Sequence, residues 1–346
     1  MVREKHLIGY SFIDIEGILG GAQIRIFELT KNLGIPLIYG ERKFTRLRKL
    51  IENLPTLFKM DNILLFDYCS SPYEFFFLNS LRKIYGLIFD IADIPHLQLL
   101  YFNYPINFDR VLLKKINIRE KNFLRLFRMS DTLLFSSSTF PSMMNVSLKN
   151  KKVIIIPNAS NPDHFKKSPI PREGKKVVLY VGGYAPMRGI DLLIEAFKLI
   201  RMKNKNVVLK LVGYNIPQEL QRDGITVETN KYYFDMPEVY SQSNVCVIPH
   251  RKNPYMDAVL PIKLFDSMAA ARPVVVTDCH EMSNIVKSEK CGLVAEENAE
   301  SFAEAIDYLL SNESLSQEMG ERGREAIEER HSWYHRALIL IKKLKN

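Results

Sequence analysis

Apolar residues along this chain fall into two alternating rhythms. Compact apolar runs recur at 6–13, 36–40, 62–70, 85–91, 131–137 and 153–157, and again at 176–181, 207–213, 225–228, 245–249, 273–276 and 292–295. Between them lie stretches whose apolar positions return every three or four residues: 22–33, 42–53, 72–83 and 111–128, then 189–200, 237–243, 299–310, 313–330 and 332–345. Within 189–200, for example, Ile190, Leu193, Ile194 and Phe197 share one helical face. Short continuous apolar runs between amphipathic helices predict strands buried on both faces, as in parallel sheets. Repeated β-α units of this size predict Rossmann-like domains and an α/β fold class.

A chain of 346 residues suits two domains of ordinary size. The run 166–176 is polar and carries Pro169, Pro171 and Gly174, so it reads as a linker and a hinge. The expected division is a Rossmann-like domain over 1–165, the linker over 166–176, a second Rossmann-like domain over 177–330, and a terminal helix over 331–346.

Composition adds a boundary and charge adds a partner. The hydrophobic fraction is 47%, enough for two cores. No apolar run approaches the roughly 18 residues of a membrane helix, and the first residues lack a secretory apolar core; a soluble, cytoplasmic chain is expected. Cys69, Cys246, Cys279 and Cys291 show no paired C-x-x-C spacing, which favours reduced, mostly buried thiols over a metal site or disulfides. Net charge is +9, and the first 150 residues hold 20 Lys plus Arg against 14 Asp plus Glu. One cluster is Arg42, Lys43, Arg46, Arg48 and Lys49; the other is Arg110, Lys114, Lys115, Arg119, Lys121, Arg125 and Arg128, interleaved with Leu112, Leu113, Ile116, Leu124 and Phe127. Basic amphipathic helices of this kind can rest on an anionic membrane surface, and they can equally be solvated helix faces. No nucleic-acid motif accompanies the charge, so no nucleic-acid partner is expected.

The candidate chemistry lies in loops after strands. Gly17, Gly20 and Gly21 follow the first strand and precede a helix, where backbone amides can approach an anion; a plain tight turn has the same composition. Asp90 and Asp93 lie at a strand's C-terminal end, where doubly wound sheets bind ligands, and can orient or deprotonate a hydroxyl; capping the next segment is the alternative, and His96 stands three residues on. Gly182 and Gly183 leave a strand of the second half, and Arg188 precedes its helix as a cation able to bind a diphosphate bidentately. His250 leaves another strand, and Tyr214 is an aromatic that can stack on a base or simply lie in the core or on the surface. The stretch from Pro254 to Asp278 reads loop, helix, turn, strand: Pro261 can open the helix, Leu264, Phe265 and Met268 face a core, and Arg272-Pro273 stops it. Lys263 adds charge at that helix N-terminus, where an anion is held by free amides, and Asp266 can accept hydrogen bonds from a ribose diol. A plain helix–strand unit with a solvated Asp266 fits the same residues.

Taken in order, these loops resemble the retaining glycosyltransferases of GT-B family 4, the glycosyl transferases group 1 type. The resemblance rests on the Gly20-Gly21 turn, the Pro157-Asn158-Ala159 segment running to Phe165, the Gly182-Gly183…Arg188-Gly189 loop, and Pro261-x-Lys263-x-x-Asp266 before Met268-Ala269 and Pro273-Val274-Val275. It implies a GT-B fold with an interdomain cleft and a terminal helix that crosses back to the first domain. It also implies a nucleotide-sugar donor held by Gly20, Gly21, Gly182, Gly183, Arg188, His250, Lys263 and Asp266, with Asp90 and Asp93 near the acceptor. The chain departs from the family pattern at Asp266, usually Glu; at Ala258, where a first Glu is frequent and for which Asp257 is a shifted substitute; at Gly183, usually Arg; and at Ala92, where a His is found in many members. The missing Arg lowers the expected diphosphate affinity or shifts the task to Lys263 or Arg25.

The expected function is therefore transfer of a sugar from a UDP- or GDP-linked donor to a hydroxyl of a glycan, lipid-linked or other small acceptor, with retention, no metal and no cofactor. A non-catalytic GT-B protein that binds a partner or nucleotide is the alternative from another class, and a GT-B epimerase or phosphorylase a further one.

Overall fold

The computed structural model describes residues 7–11, 20–39, 48–49, 52–53, 55, 59–66, 72–102, 110–229 and 231–345. Gly17, Cys69 and most of the predicted helix 42–53, with Arg42, Lys43 and Arg46, lie outside them. The chain divides into two units. The first joins Met1–Leu100 and Pro105–Pro157 to Trp333–Asn346, and the second is Tyr101–Tyr104 with Asn158–Ser332.

The first unit holds strands β1 (Leu7–Ser11), β2 (Leu37–Ile38), β3 (Asn62–Phe66), β4 (Gly86–Ile91), β5 (Thr132–Phe135) and β6 (Lys152–Ile155) in the spatial order β2-β1-β3-β4-β5-β6, all neighbours parallel. Its helices are α1 (Gly21–Leu33), α2 (Pro72–Leu81), α3 (Pro95–Phe102), α4 (Arg110–Met129) and α5 (Phe140–Met143). Helix α1 ends because Gly34 takes the left-handed conformation at φ 66, returning its N–H to the last turn. Its apolar face, Ile26, Leu29 and Leu33, is buried over Leu64, Phe66, Ile88 and Leu134 of the strands.

That core is completed by the end of the chain. Helix α13 (Trp333–Lys345) adds Ala337, Leu340 and Ile341 to the same cluster, and Trp333 is fully buried. The expected return of the terminal helix to the first domain is what the chain does.

The second unit repeats the scheme with β7 (Lys176–Val181), β8 (Val207–Val212), β9 (Ile225–Glu228), β10 (Val245–Ile248), β11 (Val274–Thr277) and β12 (Gly292–Ala295), ordered β12-β11-β10-β7-β8-β9 and parallel throughout. Around it lie α6 (Ile190–Lys203), α7 (Met236–Ser241), α8 (Pro254–Ala258), α9 (Ile262–Ala269), α10 (His280–Glu289), α11 (Ala299–Ser311) and α12 (Glu313–Ala326). Ile190, Leu193, Ile194 and Phe197 of α6 are buried, as their spacing predicts. Two six-stranded parallel sheets flanked by helices give the α/β, GT-B architecture expected from the residues.

Two differences have local causes. Helix α10 was not expected between 278 and 292; it buries little beyond Met282, Ser283 and Val286 and opens after Cys279, with no side chain of its own as a cap. The polar run 166–176 is tied at Ser168 and Pro169 to a distant side chain of the second unit. Arg272, fully buried, donates to Ser168 O at 2.8 Å, Ser168 Oγ at 2.6 Å and Pro169 O at 3.2 Å, and to the carbonyls of Tyr240 and Ser241 at the end of α7.

Candidate functional site

In the second unit the exits of β7 and β10 and the start of α9 converge. Gly182, at φ 145, leaves β7 in a conformation that L side chains rarely adopt. A Cβ there would stand 2.4 Å from Lys263 Nζ and 3.2 Å from the Tyr180 hydroxyl. The glycine therefore opens the space that the lysine head fills. Lys263 Nζ lies over the Tyr180 ring at 4.6 Å from its centroid and is buried with no hydrogen-bond partner. Burial, and after it the charge of Arg188, hold this ammonium well below the usual lysine range.

His250 faces the same place. It is fully buried, and neither Nδ1 nor Nε2 has a hydrogen-bond partner. Burial first, then the charges of Lys263 and Arg188, push its pKa well below the ordinary histidine value. Its backbone is pinned: the His250 carbonyl accepts from Thr277 Oγ1, at the end of β11, at 2.6 Å. Arg188 closes a short 3-10 turn, Pro186–Arg188, whose next residue Gly189 has φ 66. A Cβ on Gly189 would lie 1.7 Å from the Pro249 carbonyl oxygen, so only glycine lets the Arg188 turn press against the loop that carries His250. The buried Lys263 and His250 thus lie near the half-buried Arg188, and among the described residues no carboxylate is bonded to Lys263 or His250. Buried charge of one sign without a counter-ion is expensive, and the arrangement suits an anion.

Gly183 explains itself by what covers it. A Cβ at 183 would stand 2.5 Å from the Tyr214 ring, so the half-exposed Tyr214 takes the ground where a longer residue at 183 would begin. Asp266, also on α9, is buried and accepts from Ser160 Oγ at 2.6 Å; it is neither solvated nor pointed away from the interior. Pro261 is the N-cap of α9, one place before the helix proper. Asp257 accepts from the backbone N–H of His280 at 3.0 Å and so caps α10. Its Oδ1 is engaged there, and Ala258, the position of the family's first glutamate, is fully buried.

In the first unit Gly20 is the N-cap of α1, its N–H bonded to Gln23 Oε1 at 3.0 Å, and Gly21 opens the helix. Arg25 does not face outward as a substitute cation. Both Arg25 and Asp90 are buried, and they pair fork to fork, Nε to Oδ2 at 2.8 Å and Nη2 to Oδ1 at 2.7 Å. The pair ties α1 to the end of β4, and the guanidinium lies 6.0 Å from the Trp333 ring centroid. Asp90 thereby spends both carboxylate oxygens internally. Asp93 is half-buried in the turn after β4. Sequence reasoning named both Asp90 and Arg25 but not their pairing across 65 residues, and no spacing signal joins the two. Arg336, which donates to Pro157 O at 3.1 Å, is also buried and was not singled out; burial, then Arg25's charge, lowers it to about 10.

The Glycosyl transferases group 1 family matches residues 161–326. A curated relative, an uncharacterized glycosyltransferase of Methanocaldococcus jannaschii, is 27% identical over 72% of this chain and 67% of its own length. A capsular polysaccharide biosynthesis glycosyltransferase, CapM of Staphylococcus aureus, is 25% identical over 60% of each. A putative glycosyltransferase of Bacillus subtilis is 27% identical over 48% of this chain and 44% of its own. The chain thus spans about half to two thirds of these relatives. Among solved structures, a sucrose-phosphate synthase from Thermosynechococcus elongatus superposes with a TM-score of 0.71 at 19% identity, covering 98% of both chains. HepE of Anabaena, solved with UDP-glucose, gives 0.68 at 14% identity over 98% of this chain and 99% of that one.

Proposed function

We propose that this chain, which has the GT-B fold and matches the Glycosyl transferases group 1 family over 161–326 of its second unit, is a glycosyltransferase that moves a sugar, with retention at the anomeric carbon, from a nucleotide diphosphate sugar to a hydroxyl of a glycan or lipid-linked acceptor. The observation that carries this reading is the buried Lys263 ammonium, without a hydrogen-bond partner beside Arg188 and His250. In a site of low dielectric such groups stabilise the charge that develops on a departing diphosphate. They supply the counter-charge that a divalent ion supplies elsewhere, so the reaction is read as metal-independent. In this reading Asp266 stands toward the donor ribose and Asp90 and Asp93 toward the acceptor, with Asp90 held in place by its pair with Arg25. HepE was solved with UDP and with UDP-glucose, which favours UDP over GDP as the first donor to try.

Calorimetry with UDP and GDP tests this. Wild type is expected to bind one of them, and Lys263→Met to lose roughly tenfold or more, about 1.5–3 kcal/mol; Asp266→Ala is expected to weaken the same nucleotide. Activity with the matching sugar should survive EDTA, and the product's anomeric proton should show the donor's configuration. Binding by Lys263→Met equal to wild type would sink the reading.

The acceptor reading is helped by α4. Its C-terminal part buries Phe123, Leu126 and Phe127, while Val111, Leu113 and Ile118 near its start are exposed among Arg110, Lys114, Lys115 and Lys121. Apolar side chains amid cations suit an anionic lipid surface, where a lipid-linked acceptor would be met.

A further inference from the structure

A diphosphate-binding site needs donors, and His250 in its neutral form is a poor one. Neutral imidazole has one N–H and one bare nitrogen. Both nitrogens are buried without a partner among the described residues, and the charged groups that act on the ring are Lys263 of α9 and Arg188 of the turn after β7. The remaining surroundings add no acid to it. Thr277 Oγ1 and Cys279 Sγ donate to the His250 carbonyl, at 2.6 and 3.7 Å. Tyr180 of β7 gives its hydroxyl to Gly183 O at 2.9 Å. Asp191 and Glu297 are paired with Arg251 at 2.6 and 3.3 Å, and Asp257 caps α10. Burial and these two basic groups favour the neutral imidazole, and an arriving anion of two or three charges reverses the balance.

We propose that His250 is a proton-coupled anchor of the donor: it is neutral in the free protein and takes up a proton when the diphosphate binds, so that both ring nitrogens donate to phosphate oxygens. The inference rests on the donor-site reading and gives it a pH dependence. The pKa rises on binding, so affinity is greatest below the free-protein value and falls as pH climbs through the value in the complex. The bond change is a protonation alone; the proton comes from buffer and returns when the nucleoside diphosphate leaves. Sugar transfer is thus tied to a proton that enters with the donor and departs with the product.

The test is calorimetry of UDP and GDP at pH 7 in buffers of different ionisation enthalpy, with wild type and His250→Gln. Any proton lost by the nucleotide itself is common to both proteins, so their difference isolates the histidine. Wild type is expected to take up about one proton more per nucleotide than the variant, and the affinity of the variant to vary less with pH between about 6 and 8, a window from about 0.5 unit below to about 1.5 units above the ordinary histidine value. A second readout needs no variant. Of the seven histidines, one ring should move from the neutral to the imidazolium chemical shift when nucleotide is added to wild type. Equal proton uptake in both proteins, or no ring that changes state, overturns the inference while leaving the donor site standing. If neither nucleotide binds wild type, the donor-site reading itself fails.

Discussion

Lys263 holds its ammonium against the Tyr180 ring with no hydrogen-bond partner, and such a charge weakens the fold it sits in. The sign of the pH effect follows from its lowered pKa. The unfolded chain binds the proton more tightly, so the cost is full below the folded-state value, and stability rises with pH until it vanishes near the ordinary lysine value of about 10.4. Lys263→Met should therefore melt higher than wild type near neutral pH, by an amount that shrinks as pH is raised toward 10; thermal melts across that range measure it. The same substitution that costs nucleotide affinity should add stability, as expected where a strained site serves a ligand. Lys263, Asp266 and Arg188 could be picked out from sequence because each sits at a fixed offset from a proline or glycine that shapes its loop. The Arg25–Asp90 pair could not, because its partners meet only when α1 lies over the end of β4.

At the scale of elements, glycines decide how closely the two site loops approach. Gly189→Ala would place a methyl 1.7 Å from the Pro249 carbonyl oxygen at a backbone φ of 66. It is expected to destabilise the second unit by more than about 2 kcal/mol, read by urea unfolding, and to displace Arg188 and His250 together. The strands were legible because continuous apolar runs have few other uses in a chain of this class. Helix α10 was not, since a helix with two large buried side chains and a cap supplied by Asp257, 23 residues before, carries its start signal elsewhere. The run 166–176 looked like a free hinge from its prolines, and a buried arginine a hundred residues later restrains its Ser168 and Pro169.

At the scale of the molecule, no helix among the described residues is long and apolar enough to cross a membrane, and the basic excess of the first unit bears on a surface encounter instead. The protein is expected to sediment with phosphatidylglycerol vesicles at low salt and to be released at high salt. Replacing Lys114, Lys115 and Lys121 with Gln should reduce the bound fraction severalfold, since each basic residue near such a surface contributes about 1 kcal/mol. No sedimentation at low salt would remove the membrane from the acceptor reading.

The return of Trp333–Lys345 into the first unit's core has a consequence for synthesis. A ribosome releases the first unit's strands early, yet the Trp333, Ala337, Leu340 and Ile341 side chains that fill their core come last. The second unit is nearly contiguous, from Asn158 to Ser332, and needs no later segment to complete its core. The half made first is therefore the half finished last, and during translation its sheet waits, incompletely covered, for the final helix to be delivered.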